Sequence, residues 1–283
     1  MSILYIPKLA IAGLLWAAPA KDTTARKDSV PAAERTTLNI GVTFNSTLNF
    51  LGRSDSYKSR GIYPSIGISV RGGLYANASF VFVDNSQTRQ YAATVLEAGY
   101  HFGSKKGDWD GNISATDYYY QQDIQLVQSV IRGTFAASLT QLNKIANITL
   151  EADARWSSQI DEGLQGGLDH TIRLPKIFSA RDVLVIDPTA TVYAGTQHFT
   201  QTFFTEKHFL FLPAGEQALT TNSQLFSLLA CEASIPVVYA YRDLKVIFDP
   251  AYIQPMHVLD GNGQMTAMGS RLFYWTLTVK LNL

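Results

Sequence analysis

The stretch that decides the fold is Arg271-Leu-Phe-Tyr-Trp-Thr-Leu-Thr-Val-Lys-Leu-Asn-Leu283. Alternate positions from Phe273 to Leu283 are apolar, and the residues between them are polar or amphipathic. A period of two residues is typical of a β-strand with one apolar and one polar face. We expect such a terminal strand in a transmembrane β-barrel, where the last strand pairs with the first and leaves no free edge.

This terminal strand resembles the C-terminal strand of bacterial outer-membrane barrels, which the barrel assembly machinery recognises. That family usually ends on an aromatic residue, whereas this chain ends on Leu283. The resemblance implies a place in the outer membrane of a Gram-negative bacterium. It also implies two partners, membrane lipid and the assembly machinery during insertion.

The other end of the chain has the pattern of a secretory signal. An apolar run from Leu9 to Ala17 is followed by Ala18-Pro19-Ala20, which fits an A-x-A cleavage site. We therefore predict a cleaved signal peptide over residues 1–20, a flexible periplasmic leader over 21–36 and a barrel over 37–283.

Composition excludes several classes of protein. The chain carries 23 basic and 23 acidic residues and has no net charge, so a broad nucleic-acid-binding surface is not indicated. No segment has 18 consecutive apolar residues, which argues against a helical membrane protein. Its single cysteine, Cys231, cannot form an internal disulfide. No pattern in the chain predicts a cofactor or a metal site.

Alternating segments recur along the chain, beginning with Leu38 to Phe50, and they add up to about twelve antiparallel strands. Their apolar phase, predicted to face lipid, includes Leu48, Phe50, Ala92 and Ile131. An even number is typical of bacterial single-chain barrels. The connections alternate between short and mostly longer, with 85–90 as an exception, and this rhythm places both termini in the periplasm. Short connections are predicted near 71–73, 103–108, 141–145, 175–182 and 239–242, and longer ones near 51–60, 119–128, 158–166, 198–223 and 255–270.

Charged residues provide a test of this strand phase. A lysine or arginine facing lipid at the midplane costs roughly 2–4 kcal/mol, so strand charges belong on the lumen side. Only Asp117 departs from the inward phase, and it lies at the outer end of its strand. The residues predicted to face inward are Glu97, Arg132, Glu151, Asp153, Arg155, Asp169, Arg173, Asp187, Glu232, Lys245, Asp249 and Lys280.

Glu151, Asp153 and Arg155 share one inward face, so two neighbouring acids need compensating cations. Arg132 on the preceding strand and Arg173 on the following one are the candidates. Two interpretations stay open: charges that pair and close the lumen, or acids that line a narrow path favouring cations.

Aromatic residues cluster near the predicted strand ends, as in the interfacial girdles of membrane barrels. They are Phe50, Phe102, Trp109, Tyr118, Tyr119, Tyr120, Trp156, Phe273 and Trp275.

A narrower resemblance covers roughly the last hundred residues. The segments Glu232-Ala-Ser-Ile-Pro236, Phe248-Asp-Pro-Ala-Tyr252-Ile-Gln-Pro255 and Gly195-Thr-Gln197 are similar to uncharacterised Bacteroidetes outer-membrane barrel proteins. That family carries no assigned activity to transfer.

The function predicted from the sequence is a small passive channel or transport barrel for small polar solutes. The alternative is a non-conducting surface protein that binds a partner or ligand through its external loops, and the aromatic-rich segment 198–223 would suit either role. An outer-membrane enzyme is the least favoured class, because His170 has no serine in a recognisable nucleophile turn. No catalytic residue is predicted.

Overall fold

The computed structural model describes residues 36–54, 57–87, 89–104, 106–121, 127–196, 198, 226–256 and 271–283. The predicted signal peptide, nearly all of the leader and, apart from His198, the segment 198–223 lie outside these residues.

The described residues form short and long β-strands and one 3-10 helix, Val127–Val130. The first strands are β1 (Thr37–Asn45), β2 (Asn49–Phe50), β3 (Arg53–Ser54), β4 (Arg60–Ser69), β5 (Leu74–Asp84), β6 (Arg89–Gly103), β7 (Trp109–Tyr120), β8 (Gly133–Gln141) and β9 (Asn147–Trp156). The remainder are β10 (Ile160–Asp169), β11 (Ile172–Pro175), β12 (Asp182–Ile186), β13 (Thr189–Gly195), β14 (Ser227–Ser234), β15 (Val237–Tyr241), β16 (Leu244–Pro255) and β17 (Leu272–Asn282).

All strands except β2 and β3 belong to one antiparallel sheet that closes on itself. The seam is the β1–β17 pair, in which Ile40 lies opposite Leu281 and Val42 opposite Val279. Three strands of the barrel wall are each interrupted once, between β10 and β11, β12 and β13, and β14 and β15. Counting each interrupted strand once gives twelve, so the predicted barrel closed by its C-terminal strand is confirmed.

Two of the three interruptions contain proline, at Pro188 and Pro236. Proline has no N–H to donate to a neighbouring strand, so it ends the regular ladder at these points. The third interruption, at His170 and Thr171, lies beside them in the sheet, where the His170 N–H donates to the Pro188 carbonyl at 3.2 Å.

Apolar and polar side chains alternate along the barrel wall. In β9, Leu150 is 58% exposed, whereas its neighbour Glu151 is 5% exposed. Ala152 and Asp153 repeat the pattern. The exposed residues form a continuous apolar outer surface, which hydrocarbon can solvate, while the inner surface carries the polar groups.

The first strand is shorter than predicted. β1 ends at Asn45, and the chain then turns into the barrel interior instead of continuing along its wall. Leu48 and Phe50, predicted to face lipid and, for Phe50, to join the aromatic girdle, are 2% and 0% exposed. The predicted external loop 51–60 is likewise partly internal, because Leu51 and Arg53 are almost fully buried.

The connection predicted at 158–166 is also wrong. β9 and β10 are joined by a tight turn at 157–159, and residues from Ile160 onward are paired, with Ile160 opposite Trp156. Gly163, Gly166 and Gly167 therefore lie within a strand.

The outer end of the barrel departs from strict alternation. A bulge in the β5–β6 pairing turns Ala92 inward, although the sequence placed it on the outer face. Tyr119 is 55% exposed, but Tyr118 is buried and therefore does not belong to an external girdle. Ile131, predicted to face lipid, is 2% exposed.

Among the described residues, no helix is both long enough and apolar enough to cross a membrane.

Candidate functional site

The candidate site is the outer half of the lumen, which is filled by residues 46–54; we call this segment the plug hairpin. Its strands β2 and β3 form a two-residue hairpin in which Phe50 pairs with Arg53. The turn residues Leu51 and Gly52 have φ angles of 52° and 78°. Positive φ at both positions is the requirement of a type I′ turn, whose twist suits a hairpin.

Leucine is an uncommon residue at positive φ, because its Cβ crowds the backbone there. Leu51 is nevertheless fully buried, so its packing offsets the backbone strain. The turn is further held by the Gly52 N–H, which donates to Asn49 Oδ1 at 3.2 Å. Strained, buried positions of this kind cluster at functional sites.

The plug hairpin is anchored at its base to the barrel seam. The Ser46 N–H donates to the Trp275 carbonyl at 3.0 Å, and the Trp275 N–H donates to Ser46 Oγ at 2.8 Å. On the returning side, the Leu48 N–H donates to the Ser59 carbonyl at 2.6 Å. These bonds fix the start of the plug hairpin to Trp275 of β17 and to Ser59, the residue before β4.

Inside the barrel, the plug hairpin contributes to an apolar cluster. Leu48, Phe50 and Leu51 pack with inward side chains from the surrounding wall, so this part of the lumen resembles the core of a soluble domain. The other members of the cluster, which lie on wall strands except for Val130 and Ile131 at the end of the 3-10 helix, are Tyr63, Val81, Val83, Ala92, Ala93, Val95, Tyr118, Val130, Ile131, Tyr193, Leu229, Ala230, Ala251, Ile253 and Tyr274.

A buried ion pair lies directly beside the plug hairpin. Arg155 donates to both carboxylate oxygens of Asp153, with Nη2 to Oδ1 at 3.2 Å, and both side chains are at most 2% exposed. The Arg155 guanidinium also lies 5.7 Å from the centre of the Phe50 ring, within range of a cation–π interaction. Arg155 therefore links the plug hairpin to the barrel wall.

Two neighbours in β10 complete this cluster. Asp161 is fully buried and lies opposite Arg155 in the strand register. Asp161 also accepts from Thr196 Oγ1 at 2.7 Å and from the His198 N–H at 2.6 Å. Gly163 lies against the ion pair, because a Cβ atom there would be 2.1 Å from Arg155 Nη2.

Other acidic side chains on the wall accept hydrogen bonds from tyrosines, one of which, Tyr274, belongs to the cluster around the plug hairpin. Glu97 accepts from the Tyr75 hydroxyl at 2.8 Å, and Glu232 accepts from the Tyr274 hydroxyl at 2.9 Å. Lys245 and Lys280 lie directly opposite each other on adjacent strands. Among the described residues, nine acidic but only three basic side chains are buried, which gives the interior an acidic excess.

Most of the charged residues predicted to line the lumen have buried or half-buried side chains. Arg132 differs: it precedes β8 rather than lying within it, and its side chain is exposed. Asp187 lies at the interruption after β12, where Thr171 Oγ1 donates to it at 3.0 Å. The remaining members are Glu97, Glu151, Asp153, Arg155, Asp169, Arg173, Glu232, Lys245, Asp249 and Lys280.

Neither predicted cation neutralises the acids of β9. Arg155, on the same strand face, pairs with Asp153 instead. Arg132 is exposed, and Arg173 lies eight residues beyond Gln165, the partner of Glu151, or roughly 26 Å along the strand.

The sequence contained one signal of the internal cluster that alternation did not use. Residues Phe80 to Val83 are apolar without interruption. Val81 and Val83 belong to the internal cluster, whereas Phe80 and Phe82 lie on the apolar outer surface. A continuous apolar run indicates a strand buried on both faces.

Comparison with known proteins gives a likeness of architecture. No protein family model and no curated protein matches the sequence. Among solved structures, the KdgM porin aligns with a TM-score of 0.47 at 6% identity over 87% of this chain and 99% of that one. The NanC porin aligns with a TM-score of 0.47 at 8% identity over 87% and 100%. An outer membrane channel from Pseudomonas putida F1 aligns with a TM-score of 0.48 at 12% identity over 93% and 100%.

Proposed function

We propose that this protein is an outer-membrane channel for small polar solutes, narrowed at its outer end by the plug hairpin and favouring cations. The observation that carries the proposal is the internal hairpin set in an acid-rich lumen. Rings of acidic side chains favour cations in a water-filled path. An apolar hairpin across that path would limit both the size and the rate of what passes.

The proposal includes the route by which the barrel reaches the membrane. Residues 1–20 would act as a cleaved signal peptide, and the barrel assembly machinery would insert the mature chain. Support comes from the apolar outer surface of the barrel and from the signal pattern of the sequence. Retention of residues 1–20 in the mature protein, measured by mass spectrometry, would contradict this route.

The second candidate function is a non-conducting surface protein that binds a partner through its external loops. The full burial of Phe50 and Leu51 favours it, because a plug hairpin packed as tightly as a core closes this part of the lumen. In this case the hairpin would serve the stability of the barrel.

Conductance in a planar lipid bilayer separates the two functions. A variant in which residues 47–57 are replaced by a short Gly-Ser linker removes the plug hairpin and keeps the wall. A channel is expected to conduct in the wild type and more strongly in this variant. A surface protein is expected to show no conductance in the wild type. Folding of each variant is checked by its migration on gels with and without heating.

A further inference from the structure

A groove crosses the outer surface of the barrel where the strands are interrupted. Its volume is about 580 Å³. Leu168, Ile235, Tyr252 and Phe273, which line it, are between 43% and 64% exposed on the lipid-facing side. We call it the wall groove.

The register of the sheet gives the wall groove its shape. Directly paired residues form one row across five strands, with the small Ala190 and Ala233 in its middle. Larger side chains, Leu168 at one end and Tyr252 and Phe273 at the other, rise on either side of these two methyl groups. Four strand spacings give the row a length of roughly 19 Å.

Two backbone N–H groups at the interruptions beside the wall groove are hydrogen-bonded. The Ile235 N–H donates to the Pro250 carbonyl at 3.1 Å, and the Asp187 N–H donates to the Pro236 carbonyl at 3.0 Å. Because the prolines have no N–H of their own, the interruptions leave no donor of theirs facing lipid. The wall groove therefore suits an apolar occupant in a membrane.

The wall groove runs obliquely through the barrel wall. Leu168 lies near the periplasmic end of β10, beside the short turn at 142–146, whereas Phe273 lies near the outer end of β17. At the periplasmic end, exposed Lys144 belongs to this turn, and His170 Nδ1 lies 2.5 Å from the carbonyl oxygen of Ile145. A cationic side chain at the membrane surface attracts a lipid phosphate.

We propose that the wall groove binds one phospholipid of the periplasmic leaflet, with an acyl chain along Ala190 and Ala233 and its phosphate near Lys144 and His170. The chemistry of the site supports this occupant, because the apolar floor ends beside His170 and the turn that carries exposed Lys144. Asp169 also lines this end, but its carboxylate accepts a hydrogen bond from Asn147 Nδ2 at 2.7 Å. The inference rests on the transmembrane placement of the barrel and is independent of whether the lumen conducts.

Native mass spectrometry of the detergent-solubilised protein, titrated with phosphatidylglycerol, tests the proposal. The wild type is expected to bind one lipid more tightly than any further lipid. Ala233→Phe fills the floor of the wall groove and is expected to weaken this first binding about tenfold or more, since it displaces several methylene groups. Ala137→Phe is the matched control, because Ala137 faces lipid on β8, outside the wall groove.

Lys144→Glu is expected to weaken binding of phosphatidylglycerol while leaving the groove intact. If Ala233→Phe does not fold, Ala190→Leu fills the same floor with a smaller side chain and decides the question. Equal lipid binding by the wild type, Ala233→Phe and Ala137→Phe would overturn the proposal. So would a protein dimer, in place of a lipid adduct, that Ala233→Phe abolishes.

Discussion

Gly163 shows how one residue can control the buried ion pair. A Cβ atom there would lie 2.1 Å from Arg155 Nη2 and 2.2 Å from Asp153 Oδ1, so Gly163→Ala is expected to displace the pair. Overpacking of this kind costs about 1–3 kcal/mol. Urea unfolding of the barrel in lipid vesicles measures the loss. Gly167→Ala, in the same strand with no atom closer than 3.8 Å, is the control and should cost less.

The two acids of β9 are expected to have different roles, since only Asp153 forms an ion pair with Arg155. Asp153→Asn is expected to destabilise the barrel by about 3 kcal/mol, because it weakens a buried ion pair. Glu151→Gln is expected to leave stability closer to the wild type and to lower cation selectivity in a conducting barrel. Urea unfolding and reversal potentials in a salt gradient measure the two effects. A reversed assignment, with Glu151→Gln the more destabilising, would contradict the pairing.

Strand phase is testable on the same strand. Leu150 is 58% exposed on the outer surface, so Leu150→Arg is expected to cost roughly 2–4 kcal/mol if it lies near the midplane. Thr149, whose hydroxyl lies 2.9 Å from that of Thr140 on the inner face, should tolerate arginine better. Folding yield into lipid vesicles compares the two variants, and equal yields would mean that the strand faces are assigned wrongly.

At the scale of elements, the turn of the plug hairpin depends on glycine at position 52. Gly52 has a φ of +78°, and a Cβ atom there would lie 3.0 Å from Pro255 Cδ. Gly52→Ala is therefore expected to loosen the plug hairpin and raise single-channel conductance. Gly72→Ala adds a similar backbone strain at φ +100°, but in a short turn with no atom within 4 Å. Conductance that rises equally in both variants would show that the plug hairpin does not limit passage.

Sequence alternation predicted the wall because a membrane imposes it: Leu150 and Glu151 cannot exchange faces without exposing a charge to lipid. Alternation could not predict the plug hairpin, because Leu48 and Phe50 continue the apolar phase of β1. In the sequence, an apolar side chain buried in the lumen cannot be distinguished from one that faces lipid. Strand β10 was missed for another reason. Gly163 and Gly167 suggest a loop, whereas the structure uses Gly163 for close approach of the ion pair.

At the scale of the whole molecule, the interior is divided by chemistry. The apolar cluster around the plug hairpin occupies the outer part, with Asp153 and Asp161 beside it, and other buried acids such as Glu97 and Glu151 lie along the wall. Removing the plug hairpin is therefore expected to raise conductance while keeping the preference for cations. Reversal potentials of the Gly-Ser linker variant measure this preference. A switch to anion preference would show that Arg155 and Lys280, the two buried basic residues left in this variant, outweigh the nine acidic ones.

The bonds between Ser46 and Trp275 also constrain the order of events during folding. These residues are 229 positions apart in the chain, yet they meet where the last strand joins the first. Burial of the plug hairpin and closure of the barrel are thus coupled, and contacts so distant in sequence form slowly. Before the last strand is in place, Leu48 and Phe50 lack the part of their burial that Tyr274 of β17 provides. The plug hairpin is therefore fully buried only in a barrel that its last strand has closed.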